Sequence, residues 1–284
     1  MTLSDRIGFM QGRLTPMAGG RIQSFPWQNW DHEIAQAADV GLHMMEWTLD
    51  QERLYENPLL TRQGQATIRE LCRQHGFAIP SLTGDCFMQA PFWKAHGAER
   101  AGLQRDFLAI ARACQAVGIV HMVVPLVDNG RLEDRDQEDL LVGYLQEQSG
   151  LLASLGLQVV FESDFAPAEL ARFIGRLDPA RFGVNYDIGN SAALGFDPRL
   201  EFLAYGDRVL NVHVKDRVLG GTTVPLGTGN ADFGAVFGEL GRLSYGGRFI
   251  LQTARATDDD HVAPLLSYRD MTLGWMERHG LLPS

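Results

Sequence analysis

The chain has 284 residues, of which 45% are hydrophobic and 21% are charged, values typical of a soluble globular protein with a full core. Thirty-five acidic residues against 25 basic ones give a net charge of −10. A surface of that sign repels a phosphate backbone, which argues against broad nucleic-acid binding. No apolar run approaches the roughly 20 residues that a membrane-spanning helix requires, so no membrane partner is expected.

The cysteines and the first residues indicate a compartment. Three cysteines are too few and too widely spaced for a disulfide framework, and their odd number fits a reducing environment. The segment from Met1 to Gln11 carries no apolar stretch long enough for a signal sequence. A cytoplasmic location is therefore expected.

Short apolar runs alternate along the chain with longer segments whose apolar residues recur at spacings of three and four. Eight runs are predicted to be strands: Ile7–Met10, His43–Trp47, Ala78–Leu82, Ile119–Val124, Leu157–Glu162, Phe182–Asp187, Val209–Val214 and Phe249–Gln252. Gly41, Gly76, Gly118 and Gly156 each lie shortly before a run, where a helix commonly ends in a left-handed residue.

This alternation of strands and helices predicts an α/β protein with a parallel sheet. Eight units in 284 residues, about 35 residues each, predict a closed (β/α)8 TIM barrel. An open doubly wound sheet is the alternative, but no G-x-G-x-x-G motif follows the first run. No linker, low-complexity tract or charge block interrupts the chain, so residues 1–284 are predicted to form a single domain.

Polar residues close six of the predicted strands, at the end of a barrel where active sites lie. In chain order they are Glu46, Asp85, Glu162, Asp187, His213 and Gln252. The last four supply two carboxylates, an imidazole and an amide oxygen, a set that suits one divalent ion of Mn, Mg, Co or Zn. A lone strand-end acid is more often a helix N-cap, and the convergence of four candidates is what favours a metal site.

Four segments then carry a resemblance to a known family: VVFESD (159–164), YDIGNS (186–191), VHVKD (212–216) and VPLGTG (224–229). Together they resemble the xylose isomerase-like barrels, and among these the sugar-phosphate isomerases and epimerases such as L-ribulose- or L-xylulose-5-phosphate 3-epimerase. The resemblance covers nearly the whole chain and keeps the strand order. It implies a metal-dependent enzyme acting on a sugar or sugar phosphate, and related barrels often form homodimers.

The resemblance also implies residue roles. In that family a Glu, an Asp, a His and a second Glu hold one divalent ion, and the two glutamates act as acid and base on opposite faces of the substrate. Glu162, Asp187 and His213 match the first three positions, whereas Gln252 stands where the family has the second Glu. An amide oxygen can bind a metal, but an amide cannot exchange protons. Glu162 is therefore the expected base.

The departure at position 252 leaves the reaction open. One base suffices for aldose–ketose isomerisation or for a dehydration that begins with removal of an α proton. Inversion of a carbon needs a second group, and the candidates are Asp85, His121, Tyr186 and Glu46. A dehydratase of a cyclic polyol ketone and a catalytically silent sugar-binding barrel are the alternatives. An apurinic-site endonuclease, which needs three metals and a basic face, is disfavoured by the charge.

Other polar residues near the strand ends are expected to contact the substrate: Gln11, Arg13, Glu46, Asp85, Asn190, Lys215 and Arg217. Lys215 and Arg217 suit a phosphate or carboxylate group, although a Lys215–Asp216 surface pair is the alternative. The glycine-rich stretch Leu219–Asn230 is either a phosphate-binding turn before a helix or a mobile lid.

Overall fold

In the computed structural model, which describes residues 6–17, 20–256 and 260–281, eight parallel strands close into a barrel. The strands of the chain are β1 (Ile7–Met10), β2 (Met44–Thr48), β3 (Ala78–Thr83), β4 (His121–Leu126), β5 (Gln158–Ser163), β6 (Phe182–Asp187), β7 (Val209–Val214), β8 (Asp216–Arg217), β9 (Thr223–Val224) and β10 (Arg248–Leu251). The barrel order is β1-β10-β7-β6-β5-β4-β3-β2, and β8 and β9 form a separate antiparallel hairpin. The predicted (β/α)8 barrel is confirmed, with strand bounds shifted by at most two residues.

Helices surround the barrel in the order that the periodicity predicts. They are α1 (Trp30–Asp39), α2 (Arg62–His75), α3 (Asp85–Gln89), α4 (Gly97–Val117), α5 (Arg135–Ser154), α6 (Pro167–Ile174), α7 (Ile188–Leu194), α8 (Pro198–Tyr205), α9 (Phe233–Arg242) and α10 (Val262–Arg278). Gly76 and Gly118 end α2 and α4 with φ of 57° and 90°, the left-handed conformation expected at these positions. None of the described helices is long and apolar enough to span a membrane.

The apolar core lies between the strands and the helices, where Trp47, Phe161 and Phe237 have no exposed surface. Strand alternation sends every second side chain to the other face, into the barrel. Asn185 of β6 lies opposite Asn211 of β7, and two residues further on Asp187 lies opposite His213. The same alternation that buries the aromatic side chains outside therefore collects polar side chains inside, towards the carboxyl end.

Candidate active site

A cavity of about 530 Å³ opens at the carboxyl ends of the barrel strands. Its volume lies within the roughly 300–1,000 Å³ of small-molecule sites. The cavity is lined by six of the predicted site residues: Asp85, Glu162, Asn190, Lys215, Arg217 and Gln252. The strand-end residues singled out in the sequence thus converge largely on one cavity.

Three of the four predicted metal ligands form a compact group. Glu162, Asp187 and His213 each offer one ligand atom, and these atoms lie within 4.8 Å of one another. Nδ1 of His213 is 3.2 Å from Oε2 of Glu162 and 3.9 Å from Oδ2 of Asp187. All three residues are buried. Buried carboxylates this close together are costly unless a positive charge lies among them.

The imidazole of His213 is held in one orientation by a second buried carboxylate. Nε2 of His213 donates to Oε1 of Glu46 at 2.8 Å, and the other oxygen of Glu46 accepts from the amide of Asn211 at 3.0 Å. The side-chain nitrogen of Asn185 lies 3.1 Å from Nδ1 of His213. With Nε2 directed at Glu46, Nδ1 faces the carboxylate of Glu162. A carboxylate on the far nitrogen is the usual arrangement of a metal-binding histidine.

The electrostatics of this group favour a cation. Burial by itself lowers the pKa of His213, but the charge of Glu46 and hydrogen bonds with Asp187 and Glu162 raise that pKa well above its ordinary value. Burial by itself raises the pKa of Asp187, but Lys215 and His213 bring that pKa down to about 2. The raised pKa of His213 arises from the carboxylates around it, and the lowered pKa of Asp187 arises from its cationic neighbours. Carboxylates that stabilise positive charge in this way also suit a divalent ion.

Lys215 marks the place where the ligand oxygens face a positive charge. Its Nζ lies 3.2 Å from an oxygen of each of Asp187, Asn190 and Gln252. Gly189 makes room for this side chain, because a Cβ at that position would lie 2.6 Å from Cγ of Lys215. Oxygens of Asp187 and Gln252, two of the predicted ligands, therefore already face one cationic group.

The alternative interpretation, a surface ion pair between Lys215 and Asp216, is wrong. Asp216 is fully buried, and its carboxylate accepts hydrogen bonds from the backbone amides of Gly227, Gly229 and Ala231 at 2.9, 2.8 and 3.1 Å. These amides are therefore committed to Asp216 rather than free for a phosphate. This carboxylate ties the glycine-rich stretch to the first residue of β8.

Asn190 connects the expected base to the cationic side chains. Its Nδ2 donates to Oε1 of Glu162 at 2.6 Å, and its Oδ1 accepts from Lys215 and from Arg217. Its backbone N–H donates to Oδ1 of Asp187 at 2.8 Å, which makes Asp187 the N-cap of α7. Asp187 uses one oxygen as the cap and keeps the other towards Lys215, so the capping and ligand interpretations are compatible.

A chain of amides runs from the fourth predicted ligand to Asp85. Nε2 of Gln252 donates to Oε1 of Gln23 at 2.9 Å, and Nε2 of Gln23 donates to Oδ2 of Asp85 at 2.9 Å. Because the NH₂ group of Gln252 is used in this way, its oxygen faces Lys215. Sequence reasoning missed Gln23, which lies in the loop between β1 and α1 and carries no distinguishing pattern.

Three predicted substrate contacts lie behind the cavity wall and are corrected: Gln11, Arg13 and Glu46. The side-chain oxygen of Gln11 accepts from the backbone of Thr48 at 3.0 Å. The guanidinium of Arg13 donates to the carbonyl oxygens of Thr253 and Ile22. Glu46 holds His213, as described above. All three side chains are buried and none lines the cavity, so they lie behind the site instead of facing a substrate.

Of the four candidates for a second base, Asp85 is the one that lines the cavity. Glu46 lies behind His213. His121 is the first residue of β4, at the amino end of that strand and so at the wrong end of the barrel. Tyr186 donates to Glu201 of α8 at 2.7 Å, outside the barrel.

Asn185 and Asn211 were also not predicted to belong to the site, although their positions in the sequence indicate it. Each lies two residues before a predicted ligand on the same strand, and side chains two apart share a face of a strand. A polar residue at such a position predicts a partner for the ligand.

Comparisons with known proteins agree with this fold. Residues 34–276 match the family model described as xylose isomerase-like TIM barrel. An L-ribulose-5-phosphate 3-epimerase of Escherichia coli is 25% identical over 263 residues, which cover 89% of this chain and 92% of that enzyme. An inosose dehydratase of Geobacillus kaustophilus is 29% identical over 177 residues, which cover 54% of this chain and 56% of that enzyme.

A solved structure extends the agreement to the whole barrel. The crystal structure of D-allulose 3-epimerase from Methylomonas sp. superposes with a TM-score of 0.71 at 17% identity, covering 94% of this chain and 97% of that one. The family model spans most of the chain, including every strand from β2 to β10. The protein therefore belongs to the xylose isomerase-like TIM barrel family.

Proposed function

We propose that the protein is a divalent-metal-dependent epimerase or isomerase of a ketose or ketose phosphate, with Glu162 as the base that removes an α proton. One observation carries the proposal: Glu162 lines the cavity while its carboxylate lies in a buried group with Asp187 and His213. The relatives include sugar epimerases, which supports an isomerase-type enzyme.

The residues present fit a divalent ion. Glu162, Asp187 and His213 are buried with ligand atoms within 4.8 Å of one another, and Gln252 turns its oxygen towards the same region. Two carboxylates, one imidazole and one amide oxygen suit Mn²⁺, Mg²⁺, Co²⁺ or Zn²⁺. When bound, such an ion supplies a Lewis acid that polarises a carbonyl and stabilises developing negative charge on its oxygen.

Glu162 is positioned as a base by its own hydrogen bonds. Asn190 donates to one carboxylate oxygen at 2.6 Å and Asn185 donates to the other at 3.1 Å, so the carboxylate cannot turn away from the cavity. Removal of the α proton leaves the C–H electron pair in the double bond of an enediolate. Lys215 and Arg217, which also line the cavity, offer donors to the oxygens of the substrate.

The test is proton NMR in D₂O with Mg²⁺-loaded protein and four probes: L-ribulose 5-phosphate, L-xylulose 5-phosphate, D-allulose and D-fructose. We expect the α-proton signal of at least one probe to disappear. Glu162→Gln should slow epimer formation at least 100-fold, the lower range for loss of a general base, and should still bind Mn²⁺. Full activity in this variant, or wild-type protein that exchanges no α proton with any probe, would overturn the proposal.

Dehydration of a cyclic polyol ketone is the second candidate. It is supported by the 29% identity to an inosose dehydratase and by Gln252, since a dehydration needs only one base on the α proton. An inosose incubated with the enzyme separates the two candidates, because an unsaturated ketone absorbs in the ultraviolet and an epimer does not.

A further inference from the structure

Four carboxylate side chains line the cavity, and their surroundings differ. Besides Glu162 they are Asp85, Asp128 and Asp164. Asp164 pairs with Arg131, and Asp128 is exposed to solvent. Asp85 is buried, and within the described residues it forms no ion pair; it accepts a hydrogen bond from the neutral amide of Gln23. A buried carboxyl group beside a ligand cavity, without an ion-pair partner among the described residues, is well suited to hold a proton.

Asp85 follows β3 and Gln252 follows β10, and one side chain links them. Gln23 joins the two residues through hydrogen bonds of 2.9 Å at each end. Glu162 lies on β5, which is separated from β10, the strand before Gln252, by β6 and β7. In the barrel order β4 lies between β3 and β5, so Asp85 and Glu162 reach the cavity from strands on either side of β4. Gln23 places Asp85 beside Gln252, the position where the chain has an amide that cannot carry a proton.

We propose that Asp85 is the second acid–base residue of the reaction and exchanges a proton with the face of the substrate opposite Glu162. The inference rests on the proposed function, since it concerns the same α carbon. The carboxylate of Glu162 takes the α proton, and the C–H electron pair becomes the enediolate double bond. Protonated Asp85 then gives its proton to that carbon from the other face. Glu162 ends protonated and Asp85 ionised, and exchange with water restores both.

The electrostatic environment of Asp85 supports this role. Burial is the largest effect and raises its pKa to about 7, the hydrogen bond from Gln23 opposes the rise, and the charges of Asp50, Glu162 and Glu46 add to it. A group with a pKa near neutrality is present in both protonation states at neutral pH, as acid–base catalysis in two directions requires. Arg13 is the cation whose charge reaches Asp85 from the β1 side.

The experiment follows C3 of each epimer separately, using L-ribulose 5-phosphate and L-xylulose 5-phosphate in D₂O with Mg²⁺-loaded enzyme. Wild-type enzyme should exchange the C3 proton of both epimers and interconvert them. Asp85→Asn should exchange the proton of one epimer only, and epimer formation should fall at least 100-fold. Glu162→Gln should show the reverse selectivity, with exchange confined to the other epimer. The exchange that remains shows that each variant is folded.

Asp136→Asn is the matched control. It makes the same substitution at an exposed aspartate in the first turn of α5, outside the cavity. This variant should epimerise within about twofold of wild type. Two results for Asp85→Asn would overturn the role of Asp85 and leave the proposed function standing. One is a rate of epimer formation within tenfold of wild type, and the other is loss of proton exchange with both epimers alike. Wild-type enzyme that exchanges neither epimer, nor D-allulose and D-fructose, overturns both.

Discussion

At the scale of single residues, Glu46 shows how a buried side chain sets the chemistry of another. It has no exposed surface and contacts His213 across the barrel interior, 167 positions along the chain. Its carboxylate accepts a hydrogen bond from Nε2–H of His213. Nδ1 of the same ring then faces Glu162 and Asp187. The sequence identified Glu46 as a strand-end acid and predicted substrate contact, whereas its position behind the imidazole gives it a supporting role.

Glu46→Gln should therefore weaken metal binding. The amide keeps an oxygen for Nε2–H of His213 but removes the charge that strengthens the imidazole as a ligand, and such supporting contacts are worth about 10- to 100-fold in affinity. Isothermal titration with Mn²⁺ measures the effect directly. Glu70→Gln, which removes an exposed acid of α2, is the control and should bind Mn²⁺ like wild type. Equal affinities in the two variants would contradict the assigned role.

At the scale of elements, helices α5 and α6 are joined by a buried acid. Glu138 of α5 is 3% exposed, and both of its oxygens accept from Arg172 of α6, at 2.8 and 2.6 Å. Arg176, just beyond α6, contacts the same carboxylate. The hydrogen bonds from Arg172 are the largest cause of a pKa for Glu138 of about 2, below its ordinary value in spite of burial.

Glu138→Gln should lower the free energy of unfolding by about 2 kcal/mol at pH 7, the size expected for hydrogen bonds to a charged group. A carboxylate with a lowered pKa stabilises the fold above its unfolded-state pKa and loses that contribution as the pH falls towards the folded-state value. The difference from wild type should thus shrink below pH 4.5 and vanish near pH 2. Urea denaturation across this range measures it, with Glu70→Gln as an exposed control whose curve should follow wild type throughout.

At the scale of the whole molecule, one arginine ties the two ends of the chain together where the barrel closes. Arg6 precedes β1 and donates to the carbonyl oxygens of Gly247, Tyr245 and Leu281. Its guanidinium also lies 5.6 Å from the ring centre of Phe249. Pairing of β1 with β10 completes the barrel, and these contacts hold the entrance of both strands.

Arg6→Ala should therefore destabilise the whole barrel. Three carbonyl partners of a charged donor are lost at once, which should cost about 3 kcal/mol and lower the Tm by roughly 6 °C. Differential scanning calorimetry gives the shift. Arg242→Ala is the control, because that arginine pairs within its own helix with Glu239 on the surface and should leave the Tm nearly unchanged. A matching Tm for both variants would rule out the closing role of Arg6.

The sequence by itself determined the barrel, the bounds of its strands to within two residues, and the strand-end residues Glu162, Asp187 and His213. These follow from local signals, since apolar periodicity and the residue that ends a strand are read within a few positions. The tertiary structure decided which neighbours complete the site. Gln23 lies 62 residues from Asp85 and 229 from Gln252, and no local pattern records a contact over such separations. Only closure of the barrel, which brings all eight strand ends to one rim, places Asp85 in the cavity and Glu46 behind His213.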